Sequence, residues 1–180
     1  MEEDMTLDIK EKIEEVVEGS WNKYLAITTA IVAVLAALAS LQSGNFSNQA
    51  LLEKNNAILD QSKASDQWSY YQAKGIKKNL AESFYQQFND SKLKGQADRY
   101  AKEQADIKKQ AEDYQRQVEL ANQKSEQLIE KHHKTAYAVT FFQIAITLSA
   151  ITALLKRRPL WYLSLLLAVV GLYFLAIGLL

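Results

Sequence analysis

The sequence predicts an all-α membrane protein with three transmembrane helices and a long antiparallel coiled-coil hairpin inserted between the first and the second. Three observations predict this fold. Three apolar stretches have roughly the 20 residues that a helix needs to cross a bilayer. A long polar segment, residues 42–134, separates the first two stretches and is rich in helix-favouring residues. One proline and six glycines in 180 residues leave few points at which a helix is interrupted.

Residues 1–23 predict an acidic amphipathic helix. Apolar residues from Ile9 to Trp21 recur at helical spacing, and eight acidic residues accompany three lysines. An anionic membrane surface repels such a segment. We therefore expect it to dock on a sister chain or a cytoplasmic partner, with packing on its own protomer as the simpler alternative.

Residues 24–41 predict the first transmembrane helix, because no charged residue occurs between Lys23 and Glu53. A cleaved signal peptide is an alternative, since Ala37-Leu38-Ala39 resembles the site that signal peptidase cleaves. A secretory signal begins with a short positive region, whereas residues 1–23 are acidic. We expect the segment to be retained as a span.

Residues 42–134 predict a soluble coiled-coil hairpin. In its second half a stripe of mostly small and apolar residues recurs at alternating spacings of four and three, the heptad seam of a left-handed coiled coil. The first half repeats every seven residues from Ala50 to Tyr71, after which we expect the stripe to shift. The shifted stripe contains Ala73, Ile76, Leu80, Phe84 and Phe88. The seam of the second half contains Leu93, Ala97, Tyr100, Gln104, Ile107, Ala111, Tyr114, Val118, Ala121, Ser125, Leu128 and His132.

The turn of the hairpin is expected near residues 89–95. Asn89-Asp90-Ser91 offers turn and capping side chains, and Gly95 is a further weak point. The two arms on either side have nearly equal lengths, which favours an antiparallel pair. A kink is also expected near Gly44, where the hairpin joins the first span.

Residues 135–155 and 160–180 predict the second and third spans, joined by a basic turn at residues 156–159. The turn contains Lys156, Arg157 and Arg158, and it shares its side of the membrane with the lysines of residues 1–23. Positive charge marks the cytoplasmic side. We therefore expect a cytoplasmic N-terminus and a periplasmic hairpin.

Stripes of small residues in the spans predict close helix packing, either within one protomer or between copies. The second span also places Thr140, Gln143 and Thr147 on one face. That face lines an oligomeric pore in one interpretation, and in a simpler one it makes hydrogen bonds between helices. The stripes contain Ala26, Ala30, Ala33, Ala37, Ser40 and Gly44 in the first span, Ala138, Ala145 and Ser149 in the second, and Ser164, Ala168, Gly171 and Gly178 in the third.

The candidate interaction residues of the hairpin are Trp68, Tyr71, Gln72, Lys74 and Tyr114. In a structural interpretation the aromatic residues anchor an alanine-rich coiled coil, and Gln72 forms a hydrogen bond across the helices. In a functional interpretation the aromatic residues form a partner-binding patch with Lys74 at its rim.

The sequence contains few other residues that suggest a catalytic, metal or cofactor site. Cysteine is absent and the formal net charge is zero, so we expect no metal or cofactor site, no catalytic residues and no nucleic-acid partner. Adjacent His132 and His133 lack the spacing of four that grips a metal, although histidine titrates near neutral pH.

Residues 35–45, 65–74 and 156–162 resemble a family of uncharacterised bacterial membrane proteins, the domain of unknown function 4337. The tryptophan and the Gln-Ala-Lys triplet typical of that family match Trp68 and Gln72-Ala73-Lys74. The resemblance covers nearly the whole chain. It implies a bacterial inner membrane and three spans. It supplies no activity, because the family has none to carry over.

Three function classes follow from these features. We expect a homo-oligomeric inner-membrane scaffold or envelope-organising protein whose partners are sister copies, membrane lipid and an unidentified protein. An oligomeric channel or transport accessory component is the alternative, although the spans contain none of the charged residues that ion-coupled transport uses. An enzyme is the least favoured class, because neither a nucleophile–base pair nor a phosphate-binding loop is evident.

Overall fold

Three α-helices make up the chain in a computed structural model that describes the backbone of residues 2–180 and the side chains of residues 21–180. They are α1 (Glu2–Phe88), α2 (Ser91–Leu155) and α3 (Arg158–Leu179), and no strand occurs within the described backbone. The all-α prediction is confirmed. Each helix contains a stretch long and apolar enough to cross a membrane. The acidic face predicted for residues 1–20 lies outside the described side chains.

The break between α1 and α2 occupies only Asn89 and Asp90. Asn89 has the left-handed φ of 52° that asparagine tolerates better than most residues, and its N–H donates to the Tyr85 carbonyl at 2.8 Å. An Asp90 carboxylate oxygen accepts a hydrogen bond from the Lys92 N–H at 2.8 Å, which caps the start of α2. Neither Gly44 nor Gly95 interrupts its helix.

The break between α2 and α3 lies at Lys156 and Arg157. Lys156 has a φ of 53°, and its N–H donates to the Thr152 carbonyl at 2.9 Å. Arg157 is extended, and Pro159 lies in the first turn of α3. Proline is tolerated there because the first N–H groups of a helix have no partner within the helix.

The described chain divides into two compact units. The span unit comprises Met1–Ser47 with Ile129–Leu180, and the polar unit comprises Asn48–Leu128. In the span unit the ring of Phe142 is fully buried. A Cβ atom on Gly171 would lie only 2.8 Å from that ring, so the glycine allows α3 to approach α2 closely. The core of this unit contains Val32, Ala36, Ala39, Ala138, Phe142, Ala145 and Ala168.

The small-residue stripes of the spans divide between two roles. The stripes of α2 and α3 are buried within the protomer, where the Ser149 hydroxyl donates to the Ser164 hydroxyl at 3.1 Å. The stripe of α1, from Ala26 to Gly44, is exposed at every position. Packing within one protomer therefore explains the stripes of α2 and α3 and leaves that of α1 uncovered.

In the polar unit α1 and α2 contact each other along their length. The Ser125 hydroxyl donates to the Ala50 carbonyl at 2.9 Å, and the Lys54 ammonium donates to the Asn122 side chain at 2.8 Å. Further along, Lys74 pairs with Glu103. In these three pairs the number of the α2 partner falls as the number in α1 rises.

The predicted shift of the α1 stripe is wrong. The buried and half-buried positions of α1 keep one alternation of three and four from Ala50 to Tyr85, and Ala73, Ile76, Leu80, Phe84 and Phe88 are all exposed. The continued stripe instead contains Tyr71, Lys74, Lys78, Ala81 and Tyr85. A regular heptad keeps facing the same neighbour along a supercoiled helix, and α2 provides partners for the polar residues that fall on it.

Candidate functional site

The densest set of polar contacts in the polar unit surrounds Lys74. Its side chain is only 13% exposed and forms an ion pair with Glu103 of α2. The ammonium nitrogen lies 5.2 Å from the centre of the Tyr70 ring and 5.3 Å from that of the Tyr100 ring, within the range of cation–π attraction. A lysine is thus accommodated at a contact between helices because its charge is paired and its stem is covered by two rings.

Next to Lys74, the side chain of Gln104 on α2 approaches the backbone of α1 closely. The Gln104 amide donates to the Tyr71 carbonyl at 3.3 Å, which links α2 to the backbone of α1. A Cβ atom on Gly75 would lie 2.7 Å from the Gln104 amide nitrogen, so Gly75 provides the space for that side chain. Together Lys74, Gly75, Glu103 and Gln104 form a polar lock that joins the two helices.

Ion pairing shifts the pKa values of the charged residues in this lock, and that of Glu53 in the pair that it forms with Lys124. Hydrogen bonding to Lys74 lowers the pKa of Glu103, and hydrogen bonding to Glu103 raises the pKa of Lys74. Hydrogen bonding to Lys124 lowers the pKa of Glu53 in the same way. Lys74 and Glu103 therefore each favour the charged form of the other, and Lys124 favours the charged form of Glu53.

The predicted aromatic anchors lie beside the lock. The rings of Trp68 and Tyr71 are half-buried and meet edge to face, with centroids 5.4 Å apart. Gln72, which we expected to form a hydrogen bond across the helices in the structural interpretation, is exposed. Gln104 forms that bond instead. Lys74 is at the contact between helices and does not form an exposed rim.

Tyr114 lies farther from the turn and does not join the lock. It is half-buried, and the Lys63 ammonium lies 5.4 Å from the centre of its ring. Lys63 also forms a 2.9 Å ion pair with Asp60 on its own helix, which raises the pKa of Lys63. Tyr114 therefore contributes to packing between α1 and α2.

The predicted polar face of the second span points away from the protomer. Thr140, Gln143 and Thr147 are all exposed. The two threonine hydroxyls donate to carbonyls of their own helix, at 3.1 Å to Ala136 and 2.9 Å to Gln143. The simpler interpretation, in which these side chains bond to another helix, is therefore wrong within the protomer. They line an open groove of about 260 Å³ together with Ile144 and Leu148.

His132 joins two helices of the span unit. Its Nδ1 lies 2.9 Å from both the carbonyl oxygen and the hydroxyl of Ser43, and the carbonyl accepts when Nδ1 carries the proton. His133 is exposed. Among residues 21–180 no group of three or more His, Asp or Glu side chains is arranged to hold a metal ion.

The family described as a domain of unknown function, DUF4337, matches residues 21–180. The chain belongs to the DUF4337 family. This confirms the resemblance that the three segments indicated. No curated protein and no solved structure is detectably similar to the chain.

Some of the residues at this contact in the DUF4337 chain were not predicted from the sequence. Gly75 and Glu103 belong to the polar lock and Tyr70 lies beside it, but of the residues in contact here only Tyr71, Tyr100 and Gln104 lie on the predicted stripes. Glu103 directly precedes a seam position. A signal existed in the unbroken alternation of three and four residues from Ala50, which reaches Lys74 and places it between the helices, where its charge needs an acidic partner nearby.

Proposed function

We propose that this DUF4337 protein is a homo-oligomeric scaffold of the bacterial inner membrane that organises partners or the envelope, without catalytic activity. In this proposal α1, α2 and α3 cross the membrane, and the polar unit is an antiparallel coiled-coil hairpin on the periplasmic side. The N-terminus and the basic turn at Lys156 and Arg157 lie in the cytoplasm.

The observation that carries the proposal is the exposed polar face of Thr140, Gln143 and Thr147 on a helix that is long and apolar enough to cross a membrane. A carboxamide facing lipid loses the hydrogen bonds that water would give it. In membrane proteins such side chains face other helices or aqueous cavities. Because these side chains face outward from their own protomer, other chains are needed to cover them.

The hairpin is supported by the contacts of the polar unit. Every seam position of α2 from Leu93 to His132 is buried or half-buried. The pairs formed by Ala50 with Ser125 and by Lys74 with Glu103 follow the order of an antiparallel pair. The N-terminal parts of α1 and α3 also meet, since the Trp161 indole donates to the Thr28 hydroxyl at 3.2 Å, as expected for spans that begin on the same side.

The first experiment is the mass of the gently solubilised complex with the detergent contribution subtracted. A discrete multiple of 20.4 kDa is the expected result. A monomer at concentrations matching the native membrane would contradict the homo-oligomer. Labelling of single cysteines introduced at exposed positions, using a reagent that does not cross the membrane, tests the topology separately.

The same polar face supports a second candidate, an oligomeric channel or transport accessory component. If copies assemble around the groove formed by Thr140, Gln143 and Thr147, a pore would be lined by one amide and two hydroxyls and by no charge. Such a lining would select weakly between ions.

Conductance of the purified complex in planar bilayers separates the two functions. Single-channel steps that change when Gln143→Leu is introduced would favour the pore. Absence of conductance from a complex of verified mass, across voltage and pH, would favour the scaffold.

A further inference from the structure

The exposed back of α1 in the polar unit differs sharply from the exposed back of α2. We define the neutral stripe of α1 by ten exposed positions at alternating spacings of three and four, on the side of α1 away from α2. Asp66 is their only charged residue. The ten positions are 52, 55, 59, 62, 66, 69, 73, 76, 80 and 83, occupied by Leu, Asn, Leu, Ser, Asp, Ser, Ala, Ile, Leu and Ser.

The corresponding ten positions of α2, on its side away from α1, have the composition of a surface in contact with water. Six of the ten are charged, and all ten are exposed. They are 95, 99, 102, 106, 109, 113, 116, 120, 123 and 127, occupied by Gly, Arg, Lys, Asp, Lys, Asp, Arg, Leu, Gln and Gln. Both backs have the same heptad geometry, so geometry does not explain the contrast. The neutral stripe has the composition of a helix contact, and the back of α2 has that of a surface in water.

The apolar members of the stripe are strongly exposed in the protomer. Leu52 is 59% exposed, Ile76 is 69% exposed and Leu80 is 54% exposed. They recur along one face of α1, so a single helix of another chain could contact all of them. Apolar residues scattered singly over a surface would need no such partner. The stripe therefore provides an unused heptad seam on the back of α1.

We infer that the neutral stripe is the contact between copies of this chain in the polar unit, with the stripe of one copy packed in parallel against the same stripe of another. The inference rests on the proposed homo-oligomer and adds the surface through which it assembles. The covering partner is a second copy because the stripe matches itself.

Two features make the stripe compatible with a second copy of itself, and Asp66 is the one position at which like charges would meet. Asn55 and Ser62 each have both hydrogen-bond donors and acceptors, so identical residues placed opposite one another can pair. A partner selected by charge would find only Asp66. In a homo-oligomer all copies cross the bilayer in one orientation, so their α1 helices run parallel and equal residues stand at equal heights. Leu52 then faces Leu52, and Ile76 faces Ile76.

The absence of cysteine from the sequence allows a direct test in native membranes. Ile76→Cys on the neutral stripe and Lys109→Cys on the back of α2 are matched variants, since both residues are exposed and both helices keep their contact with each other. We expect oxidation with copper phenanthroline to convert Ile76→Cys to a disulfide-linked dimer of the chain at a yield at least several times that of Lys109→Cys. Equal yields, a higher yield from Lys109→Cys, or a link to a different protein would overturn the inference.

Failure of this inference is separable from failure of the proposed function. If the solubilised complex has the mass of several copies but Ile76→Cys does not link, the copies assemble through another surface and only the inference fails. If the complex is a monomer, the proposed homo-oligomer fails as well.

A charge reversal tests the parallel register. Asp66 faces Asp66 in the inferred pair. Chains with Asp66→Lys, when expressed together with chains that keep Asp66, should therefore form mixed pairs in excess, because opposite charges then meet at position 66. With Ile76→Cys in both chains and a different tag on each, mixed dimers should exceed the half share that random pairing gives. A random distribution would mean that position 66 does not meet itself.

Discussion

Lys74 shows how a charged residue becomes part of a helix contact. Its ammonium group is paired with Glu103 and lies near the Tyr70 and Tyr100 rings, while Gly75 leaves space for Gln104. A charge that is removed from water needs such partners. We expect the lock to add specificity to a seam that contains several alanines and polar residues and so offers little apolar area to set the register.

We expect Lys74→Met to lower the thermal midpoint of the full chain in detergent, because Glu103 loses its partner on α1 and keeps only the exposed Arg99 of its own helix, while the apolar stem at position 74 is kept. The matched control is Asp113→Asn, which breaks the Asp113–Arg116 pair, whose two side chains are 51% and 72% exposed. Exposed pairs contribute little to stability, so the control midpoint should move much less. Equal shifts in circular dichroism melts would show that the lock adds no stability.

The stability of the polar unit should fall on acidification. The pKa values of Glu103 and Glu53 are lowered by Lys74 and Lys124, so the stabilisation is present above the ordinary carboxyl pKa of about 4.5 and is lost as the pH falls through the lowered values. Midpoints measured from pH 7 to pH 3 should drop mainly below pH 4.5. The double variant Glu53→Gln and Glu103→Gln should show a smaller drop, and an unchanged drop would assign the acid sensitivity to other groups.

At the scale of the helices, glycine has two different consequences in this chain. Gly171 lies where α3 packs on α2, and a Cβ atom there would meet the Phe142 ring at 2.8 Å, whereas a Cβ atom on Gly44 would meet nothing within 4 Å. Alanine favours a helix over glycine by about 1 kcal/mol. At Gly171 that gain is opposed by overpacking, which costs about 1–3 kcal/mol in a tight core.

The same substitution should thus have opposite effects at the two sites. We expect Gly44→Ala to raise the thermal midpoint and Gly171→Ala to lower it, with the difference measured by circular dichroism under one set of detergent conditions. A rise at both positions would mean that Phe142 relaxes and that α3 is loosely packed.

At the scale of the whole molecule, two of the surfaces that the protomer leaves uncovered are the most informative about contact with other chains. One is the polar face around Gln143, and the other is the neutral stripe from Leu52 to Ser83. The proposed assembly of identical chains would explain both. The exposed small-residue stripe of α1, from Ala26 to Gly44, agrees with that explanation because small side chains permit close approach between helices in lipid.

Gln143→Leu should weaken the assembly if the polar face meets another copy. We expect the complex to dissociate at a lower detergent concentration than the native protein, because interhelical hydrogen bonds in membranes contribute roughly 0.6–2 kcal/mol each. Ile144→Leu is the matched control, since Ile144 is exposed next to Gln143 and stays apolar. A complex of unchanged mass across the detergent series would show that Gln143 contributes nothing to association.

Much of the helical architecture could be predicted from composition and periodicity. The lengths of the apolar stretches indicated three helices able to cross a membrane, and capping chemistry at Asn89 and Asp90 indicated where a helix break belongs. These properties depend on neighbours in the sequence, and local neighbours determine whether a helix forms and where it ends. The family followed from short segments around Trp68 and Lys156.

Which face of the second half of α1 is buried in the polar unit was decided only by the tertiary structure, whereas the seam of α2 was predicted from the sequence. The apolar residues Ile76 and Leu80 predicted a shifted seam, but they lie on the back of α1, and Lys74 takes the buried place because α2 provides Glu103 to pair with it. Gln72 is exposed, and the hydrogen bond across the helices is formed by Gln104, which lies on its predicted seam. Sequence periodicity identifies a stripe but not the partner that covers it, and a helix with two stripes selects between them only when a second helix is in contact.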